Sequence, residues 1–471
     1  MLKFFKSIEK TLIFCLKGIL FVLLALVFFG PYLSSTTEPN AELLRISRIS
    51  FIPISTFLVL GICFIRIYGG FAIGVKKTKE IIYSMFLATL ITDVITYIQL
   101  SVMMKSLPIH SDFMPGWLAP FLSLAVQYLL IVAFSYFGNF VYFKINQPAP
   151  CTVIYGDEEQ IETYLKKIGK YKKQWAVKDV VHYLNEDVKK LIRANDTVFL
   201  FDVPRGLRND FIEYCYKHNK NIEILPDVAD VIINNSKHVL LDDSSIYESR
   251  VDALSFEQRF IKRTFDIVIS GIGLIVASPF MLVEAIAIKL YDRGPVFFKQ
   301  ERMTEGGRVF KVIKFRTMVV DAEKQTGAVL SSKNDSRITP VGKFFRATRL
   351  DELPQLINIF VGDMSIVGPR PERESIAEEY VKELPEFRYR LKVKAGLTGL
   401  AQIMGKYNTT PKDKLTLDLV YIEQYSVWLD LKLMFQTLKV LFKSDSTEGV
   451  DADHQVEFIK HETQPVNTDE E

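Results

Sequence analysis

Two adjacent carboxylates, Asp351 and Glu352, stand just before an apolar helix that is predicted to begin at Pro354. Acidic residues at such a position are ordinary capping choices, and this pair on its own is structural more often than catalytic. A helix N-terminus also favours the ionised carboxylate, the form that attacks an electrophile or holds a metal. Two neighbouring acids can divide these tasks, because Mg²⁺ typically takes one or two carboxylates together with substrate phosphates. The pair is therefore a candidate nucleophile and metal site.

The residue types around the pair restrict its chemistry. Residues 251–446 contain no histidine and no cysteine. This excludes a Ser-His or Cys-His mechanism within the segment, unless another segment brings a histidine in. Carboxylates, Lys, Arg, Ser, Thr, Tyr or an oxygen-bound metal must then carry any reaction.

A band of cations precedes the carboxylate pair. Within 310–318 apolar residues alternate with basic ones, as in an extended strand with a basic face. The cations of the band are Lys311, Lys314, Arg316, Arg337, Lys343, Arg346 and Arg349. Arginine offers a planar donor fork and lysine a point charge to phosphoryl oxygens, so the band is a candidate phosphate site. A solvated face or a contact with anionic lipid is the alternative.

The beginning of the chain predicts a membrane domain. Four apolar runs each approach the roughly 20 residues that a helix needs to span a bilayer. They lie at 11–33, 49–65, 81–100 and 117–143. Lysine and arginine before the first run and in the second loop predict that both are cytoplasmic. For Lys17 snorkelling is favoured over function, and for Asp93 a hydrogen bond between helices is favoured over a polar pathway.

Residues 149–250 predict a small α/β domain. Apolar β-rich runs alternate with helical ones, the last predicted helix being 229–241, which indicates a parallel sheet with covering helices. The first turn is Gly156-Asp157-Glu158-Glu159; it lacks the GxGxxG fingerprint, and its acids would repel a pyrophosphate. We therefore expect a degenerate Rossmann-like domain with a structural, dimerising or regulatory role.

A fifth apolar run, 264–290, contains Ser278-Pro279 near its middle. Proline removes one helix hydrogen bond, and a serine hydroxyl can satisfy the freed carbonyl. A complete fifth span would place everything downstream outside the cell. A broken helix that dips into the membrane and returns would keep it inside. Hydropathy alone leaves both open.

Several long motifs follow one another between Lys262 and Lys443. They are KR (262–263), SP (278–279), GPVFFKQER (294–302), KFRTM (314–318), DSRITPVGKFFR (335–346), RLDELPQLINIFVGDMSIVGPRPE (349–372), GLTGLAQI (396–403) and WLDLK (428–432). This set, in this order, resembles the bacterial polyprenyl-phosphate sugar-1-phosphate transferases, the monotopic phosphoglycosyl transferases of the undecaprenyl-phosphate glucose/galactose phosphotransferase type. Four preceding spans and an α/β domain resemble the large members of that superfamily.

The resemblance implies a UDP-sugar donor and an undecaprenyl phosphate acceptor, with UMP and undecaprenyl-diphosphate-sugar as products. It implies that Asp351 is a nucleophile that forms an aspartyl-phosphosugar intermediate. It also implies that Glu352 is the partner acid associated with Mg²⁺, and Asp351 is expected beside the same ion. Ser278-Pro279 matches the break of a re-entrant helix. The expected substrate or phosphate contacts are Lys314, Arg316, Arg349, Arg370, Lys406 and Asp418.

Two positions depart from the family pattern. Thr304 stands where members often have glycine, although Gly306-Gly307 can take over the turn. Lys406 stands where many members have an arginine, so it keeps the charge but loses the donor fork. Rival functions are a direct membrane glycosyltransferase, which would release UDP, and a catalytically silent scaffold. The intact acid pair argues against the scaffold.

These features predict a mixed membrane protein of the bacterial cell membrane with its catalytic domain on the cytoplasmic face. The expected parts are a four-helix transmembrane bundle (1–148), the α/β domain (149–250), an α-rich catalytic domain with a re-entrant helix (251–446) and a disordered acidic tail (447–471). The net charge of +3 shows no nucleic-acid footprint. The four cysteines lack CxxC spacing, which fits a reducing compartment. A homodimer is compatible with this architecture.

Overall fold

The computed structural model describes residues 2–33, 48–104, 118–249, 253–320, 322, 335–405 and 409–441. The chain groups into two compact units, Met1–Leu225 and Pro226–Glu471. The four-part division expected from the sequence stays a prediction. The acidic tail at 447–471 and the candidate contact Lys406 lie outside the described residues.

The first unit begins with four long apolar helices. They are α1 (Leu2–Leu33), α2 (Arg48–Tyr68), α3 (Thr78–Met104) and α4 (Ala119–Ile145). Each contains a stretch that is long and apolar enough to cross a membrane. Phe28, Phe57 and Leu100 bury one another between helices. Asp93 in α3 accepts a hydrogen bond from Gln127 Nε2 in α4 at 3.4 Å, which confirms the predicted link between helices.

The rest of the first unit is a parallel sheet with helices. The strands are β1 (Ala149–Tyr155), β2 (Trp175–His182), β3 (Thr197–Phe201) and β4 (Asn221–Ile224), in the order β2-β1-β3-β4. The helices are α5 (Ile161–Gly169), α6 (Val188–Ala194) and α7 (Arg205–Lys217). The predicted parallel α/β fold is confirmed. The sequence pattern missed β2, because Lys178-Asp179 interrupt its apolar residues.

The second unit opens with helix α8 (Val228–Asn234) and a hairpin of β5 (Lys237–Leu241) and β6 (Ser244–Glu248). The helix predicted over 229–241 is therefore wrong beyond Asn234. Asp242 turns the hairpin with a φ of 59°, a left-handed conformation that aspartate tolerates better than most residues. The chain reverses there, and the apolar residues before the turn pair as a strand.

The remaining elements pack on one face of a long helix, α9 (Phe256–Asp292). They are β7 (Phe297–Met303), β8 (Val309–Phe315), α10 (Pro340–Thr348), α11 (Gln355–Val361), β9 (Ser365–Val367), α12 (Glu374–Glu383), β10 (Gly396–Thr398), α13 (Leu400–Met404), α14 (Pro411–Glu423) and α15 (Val427–Leu441). Strands β7 and β8 form an antiparallel hairpin, and β9 pairs with β10 in parallel. Ile359, Met364, Leu415 and Leu433 belong to the core between these elements.

The β7–β8 turn accommodates the departure at Thr304. Gly306 and Gly307 have φ of 69° and 78°, so the two glycines do carry the turn, as predicted. Thr304 Oγ1 donates to the Asp363 carbonyl and accepts from the Ala395 N–H, both at 3.1 Å. The threonine thus ties the hairpin to the segments that flank β9 and β10.

Candidate active site

Helix α9 continues through Ser278-Pro279 as one element, and the re-entrant break expected there stays a prediction. Pro279 has no N–H to donate to the carbonyl of Ile275, one turn earlier. Ser278 Oγ donates to that Ile275 carbonyl at 2.8 Å, so the serine satisfies the acceptor that the proline frees. Residues 256–277 are called the N-terminal arm of α9 below, and residues 280–292 the C-terminal arm.

The N-terminal arm is fastened by paired polar side chains. Lys262 Nζ lies 2.6 Å from Asp430 Oδ2 in α15, and Tyr421 OH in α14 donates to the other Asp430 oxygen at 2.8 Å. One turn further, Asp266 Oδ1 accepts two hydrogen bonds of 3.0 Å, from Ser365 Oγ and from the next backbone N–H of β9. These buried pairs join α9 to three elements of the unit.

The C-terminal arm is fastened at its last residue. Asp292 forms a two-point ion pair with Arg316, in which Nη1 lies 2.7 Å from Oδ2. Arg316 Nε also donates to the Pro295 carbonyl at 2.7 Å. The guanidinium of Arg316, a predicted phosphate contact, is thus used to hold the end of α9 against β8, and a role in phosphate binding stays a prediction.

Asp351 and Glu352 lie in a short 3₁₀ turn, Leu350–Glu352, between α10 and α11. Arg349 ends α10 with a φ of 59°, which redirects the chain into this turn. Pro354 directly precedes the first residue of α11, close to the helix start expected from the sequence. The turn presents the two acids side by side at the junction of two helices.

Glu352 is the point on which three of the predicted cations converge. Its Oε1 lies 2.8 Å from Lys314 Nζ, 3.7 Å from Arg370 Nη2 and 4.0 Å from Arg349 Nη1. Burial acts to raise the pKa of Glu352, but these three positive charges outweigh it and hold the pKa well below the usual range of a glutamate. Glu352 is thus an anion at neutral pH, and the surplus positive charge around it suits a phosphate group.

The surroundings of Asp351 differ from those of Glu352, because no described residue donates a hydrogen bond to one of its carboxylate oxygens. Its side chain is 9% exposed, and its Oδ1 has no hydrogen-bond partner among the described residues. Burial and the neighbouring Glu352 charge raise the pKa of Asp351 from 3.8 to about 6, against the opposing charges of Lys314 and nearby arginines. At neutral pH the carboxylate is then mostly ionised and poorly solvated, which is a suitable state for a nucleophile.

Asp418 lies fully buried and reaches this group through a second arginine. Its Oδ2 accepts from Arg390 Nε at 2.9 Å and from Arg390 Nη2 at 2.7 Å. Arg390 Nη2 also donates to the Arg370 carbonyl at 3.0 Å. Asp418 therefore holds the arginine that fixes the backbone beneath the Arg370 guanidinium. A direct contact between Asp418 and substrate stays a prediction.

Comparison of the sequence with known proteins identifies the family of this chain. The bacterial sugar transferase family profile matches residues 257–444, a range that contains every candidate site residue. A UDP-glucose:undecaprenyl-phosphate glucose-1-phosphate transferase of Caulobacter vibrioides is 37% identical over 190 residues, which are 39% of this chain and 71% of that protein. The chain belongs to the bacterial sugar transferase family.

Two further relatives of this sugar transferase match over a smaller share of their length. A UDP-N-acetylgalactosamine-undecaprenyl-phosphate N-acetylgalactosaminephosphotransferase of Aeromonas hydrophila is 41% identical over 185 residues, 39% of this chain and 44% of the relative. A UDP-glucose:undecaprenyl-phosphate glucose-1-phosphate transferase of Klebsiella pneumoniae is 46% identical over 182 residues, 38% of this chain and 39% of the relative. The match thus covers less than half the length of either protein.

The sequence reasoning missed two residues of the sugar transferase site, Arg390 and Glu284. Arg390 stands in a basic run, 388–392, in which nothing marks one cation as buried. Glu284 is an acid inside the apolar run 264–290, and that signal could have found it. Its side chain is 1% exposed, and it lies on the C-terminal arm within electrostatic range of Asp351.

The residues around Asp351 decide whether the site can hold Mg²⁺, the ion that the family resemblance implies. Within the described ranges, no three His, Cys, Asp or Glu side chains are grouped closely enough to hold a metal. Mg²⁺ needs only one or two carboxylates beside substrate phosphates, and the unpartnered Asp351 Oδ1 is a ligand of that kind. Glu352 suits the ion less well, because three cations already face its Oε1. The residues therefore fit Mg²⁺ through Asp351.

Proposed function

We propose that this sugar transferase moves a sugar-1-phosphate from a UDP-sugar to undecaprenyl phosphate, giving undecaprenyl-diphosphate-sugar and UMP. The reaction would be the first membrane step in the synthesis of an exopolysaccharide, a capsule or another surface glycan. The observation that carries the proposal is the buried Asp351, with an unpartnered oxygen, beside a patch of three cations on Glu352. The names of the relatives support the same reaction class.

In the first step a carboxylate oxygen of Asp351 attacks the phosphorus that bears the sugar. A bond forms between that oxygen and phosphorus, and the phosphoanhydride bond to UMP breaks, with its electron pair leaving on the UMP phosphate. The enzyme then carries an aspartyl-phosphosugar. No proton moves in this step, which agrees with a segment, 251–446, that contains no histidine or cysteine.

In the second step a phosphate oxygen of undecaprenyl phosphate attacks the same phosphorus, and Asp351 leaves as a free carboxylate. The covalent intermediate means that the two large anionic substrates need not be aligned at one time. Lys314, Arg349 and Arg370 supply positive charge where phosphoryl oxygens gain charge in both steps. Glu352 orients these cations through its Oε1.

Mg²⁺ would be held by Asp351 together with substrate phosphates, and when bound it neutralises part of their negative charge. This role is supported by Asp351 Oδ1, which accepts no hydrogen bond from any described residue.

We also propose that α9 enters the membrane and returns. Exposed apolar side chains follow one face of α9 from Ile267 to Leu290, whereas the opposite face is buried in the second unit on both arms. Lys262 near one end and Asp292 at the other both pair with residues of that unit. If α9 crossed the bilayer, its middle turns would contact lipid and not a polar protein unit. This favours a dipping helix with the catalytic unit on the cytoplasmic face.

An assay that separates UMP from UDP tests the reaction. The full-length protein in nanodiscs is incubated with Mg²⁺, undecaprenyl phosphate and a panel of UDP-sugars, which includes glucose, galactose and their N-acetylated forms. We expect UMP from one or a few donors, and sugar phosphate bound covalently to the protein when the acceptor is left out. Release of UDP would establish the direct glycosyltransferase, and release of neither nucleotide from any donor would favour the scaffold.

A labelling experiment tests the membrane geometry. Single cysteines are placed at one position within 150–250 and at another beyond 300, and their reaction with a membrane-impermeant reagent is compared in intact and permeabilised cells. We expect both positions to be protected in intact cells. Protection of only one of them would mean that α9 crosses the membrane.

A further inference from the structure

The C-terminal arm of α9 buries one acid that no described residue of the second unit pairs. Glu284 is 1% exposed, and within the described part of the chain neither carboxylate oxygen has a hydrogen-bond partner. An isolated buried carboxylate is costly, and a protonated one still requires an acceptor for its O–H. Among the described residues, the Glu284 carboxyl group therefore lacks the partner that its burial requires.

Packing brings the helix neighbours of Glu284 together with residues that adjoin Lys314 and Asp351 in the chain. Its neighbours on the helix, Met281 and Ile288, belong to a cluster that also contains Phe315 and Leu350. Phe315 directly follows Lys314, and Leu350 directly precedes Asp351. The charge of Asp351 acts on Glu284, as expected of two acids that lie near one another.

The charges around the two acids of the turn are strongly unequal. Three cations face Glu352, whereas the unpartnered oxygens belong to Asp351 and Glu284. A divalent cation is therefore favoured more beside Asp351 and Glu284 than beside Glu352. Two carboxylates match its charge, and their oxygens are the ligands that Mg²⁺ prefers.

We propose that Glu284 and Asp351 Oδ1 together hold the divalent cation, and that Glu352 instead anchors the three cations. This inference rests on the proposed function for the role of the ion in the reaction. It departs from the sequence-based prediction, which paired Glu352 with Asp351 at the metal. It also makes the membrane-entering helix a direct part of the metal site, because its C-terminal arm supplies one of two protein ligands.

Metal binding without substrate tests the assignment. The full-length protein in nanodiscs is titrated with Mn²⁺, free Mn²⁺ is measured by electron paramagnetic resonance, and Mg²⁺ is added as competitor. We expect one Mn²⁺ that Mg²⁺ displaces. Glu284→Gln should weaken its binding by about tenfold or more, because one of two charged ligands is lost. Glu284→Asp, which keeps the charge on a shorter side chain, should weaken binding less.

Two controls keep the test decisive. Asp266→Asn alters a buried acid on the same helix that is already hydrogen-bonded, so Mn²⁺ affinity should not change. Glu352→Gln should weaken binding less than Glu284→Gln does, since Glu352 faces cations and acts on the metal only through its charge. Unchanged affinity in Glu284→Gln, loss of binding in Glu352→Gln alone, or no Mn²⁺ binding by the wild-type protein would each overturn the proposal.

The outcome is independent of the reaction itself. A protein that binds Mn²⁺ through Glu284 but releases no UMP from any donor would refute the proposed function and leave the metal site standing. Release of UMP by a wild-type protein whose Glu284→Gln variant binds Mn²⁺ normally would refute the metal site alone.

Discussion

The two arms of α9 bury polar side chains against the same unit but treat them differently. On the N-terminal arm every buried acid and base has a partner: Lys262 pairs with Asp430, and Asp266 accepts two hydrogen bonds from β9. On the C-terminal arm Glu284 is as deeply buried and, within the ranges that the structure describes, has no hydrogen-bond partner. One helix thus carries a satisfied polar network and an unsatisfied one on opposite sides of Ser278-Pro279.

The difference separates anchoring from chemistry. A satisfied buried pair resists being broken, because removal of one partner leaves the other charge buried and alone. An unsatisfied buried carboxylate has the opposite effect, because it destabilises the folded protein until a ligand pairs with it. The satisfied pairs of Lys262, Asp266 and Asp292 therefore fix the helix on the unit, whereas Glu284 and Asp351 leave carboxylate oxygens available to a ligand.

The largest effect should come from removing the unsatisfied nucleophile. Asp351→Asn keeps the shape of the side chain but removes the attacking oxygen anion, so UMP release should fall by about 10⁴-fold or more. Asp266→Asn is the matched change on the N-terminal arm, and its activity should fall only in proportion to any loss of folded protein. UMP release is measured for both variants at equal folded concentration. Full activity in Asp351→Asn would remove the proposed mechanism.

The next effect should come from breaking the satisfied network. Lys262→Met leaves Asp430 buried without its ion pair, and we expect the free energy of unfolding to fall by about 3–5 kcal/mol. Thermal unfolding in nanodiscs measures the loss. The double variant Lys262→Met/Asp430→Leu should recover part of it, because no charge is then left alone. A single variant as stable as the wild type would show that the N-terminal arm is anchored by apolar contacts instead.

The features that depend on neighbouring residues could be predicted from the sequence, because local patterns determine individual helices and strands. The apolar runs, the strand of 310–318 with its basic face, and the serine that satisfies the carbonyl freed by Pro279 all follow from neighbouring residues. The pairing state of a buried charge does not. Lys262 and Asp430 are 168 positions apart, so only the folded chain shows that they meet.

The same limit applies to the cations of the site. Lys314, Arg316 and Arg349 look alike in the sequence, and all three were predicted phosphate contacts. Lys314 and Arg349 reach Glu352, because β8 and the left-handed turn at Arg349 aim them at it. Arg316, two positions from Lys314, is instead used to bind Asp292. Which cations converge is decided by register and turn geometry, and not by residue type.

A smaller effect should appear in stability as a function of pH. Burial and Glu352 raise the folded-state pKa of Asp351 from 3.8 to about 6, so the native protein binds a proton that the unfolded chain has lost. Stability from this group therefore declines between about pH 4 and pH 6 and stays lower above that range. Asp351→Asn removes the cost, and at pH 7 it should raise the free energy of unfolding by about 1–3 kcal/mol.

Thermal unfolding of the wild type and the variant from pH 4 to pH 7 checks this sign. The difference between them should be near zero at the acid end and grow through pH 6. Glu352→Gln is the informative contrast, because the cations that lower the Glu352 pKa make its ionised form stabilising, so this variant should lose stability at pH 7. A gain in Glu352→Gln, or a loss in Asp351→Asn, would reverse the assigned roles of the two acids.

The smallest effect should lie at the boundary between the arms. Ser278→Ala removes the donor to the Ile275 carbonyl, which Pro279 leaves without its usual helix partner, and should cost about 0.5–1 kcal/mol. Thr264→Val is the control, because Thr264 Oγ1 donates at 2.9 Å to the Phe260 carbonyl within a stretch of α9 that holds no proline. We expect that control to change unfolding less than Ser278→Ala does. Equal effects would mean that Ser278 is an ordinary helix serine. Activity lost in Ser278→Ala without loss of stability would instead show that the boundary sets the position of the C-terminal arm, and with it the distance between Glu284 and Asp351.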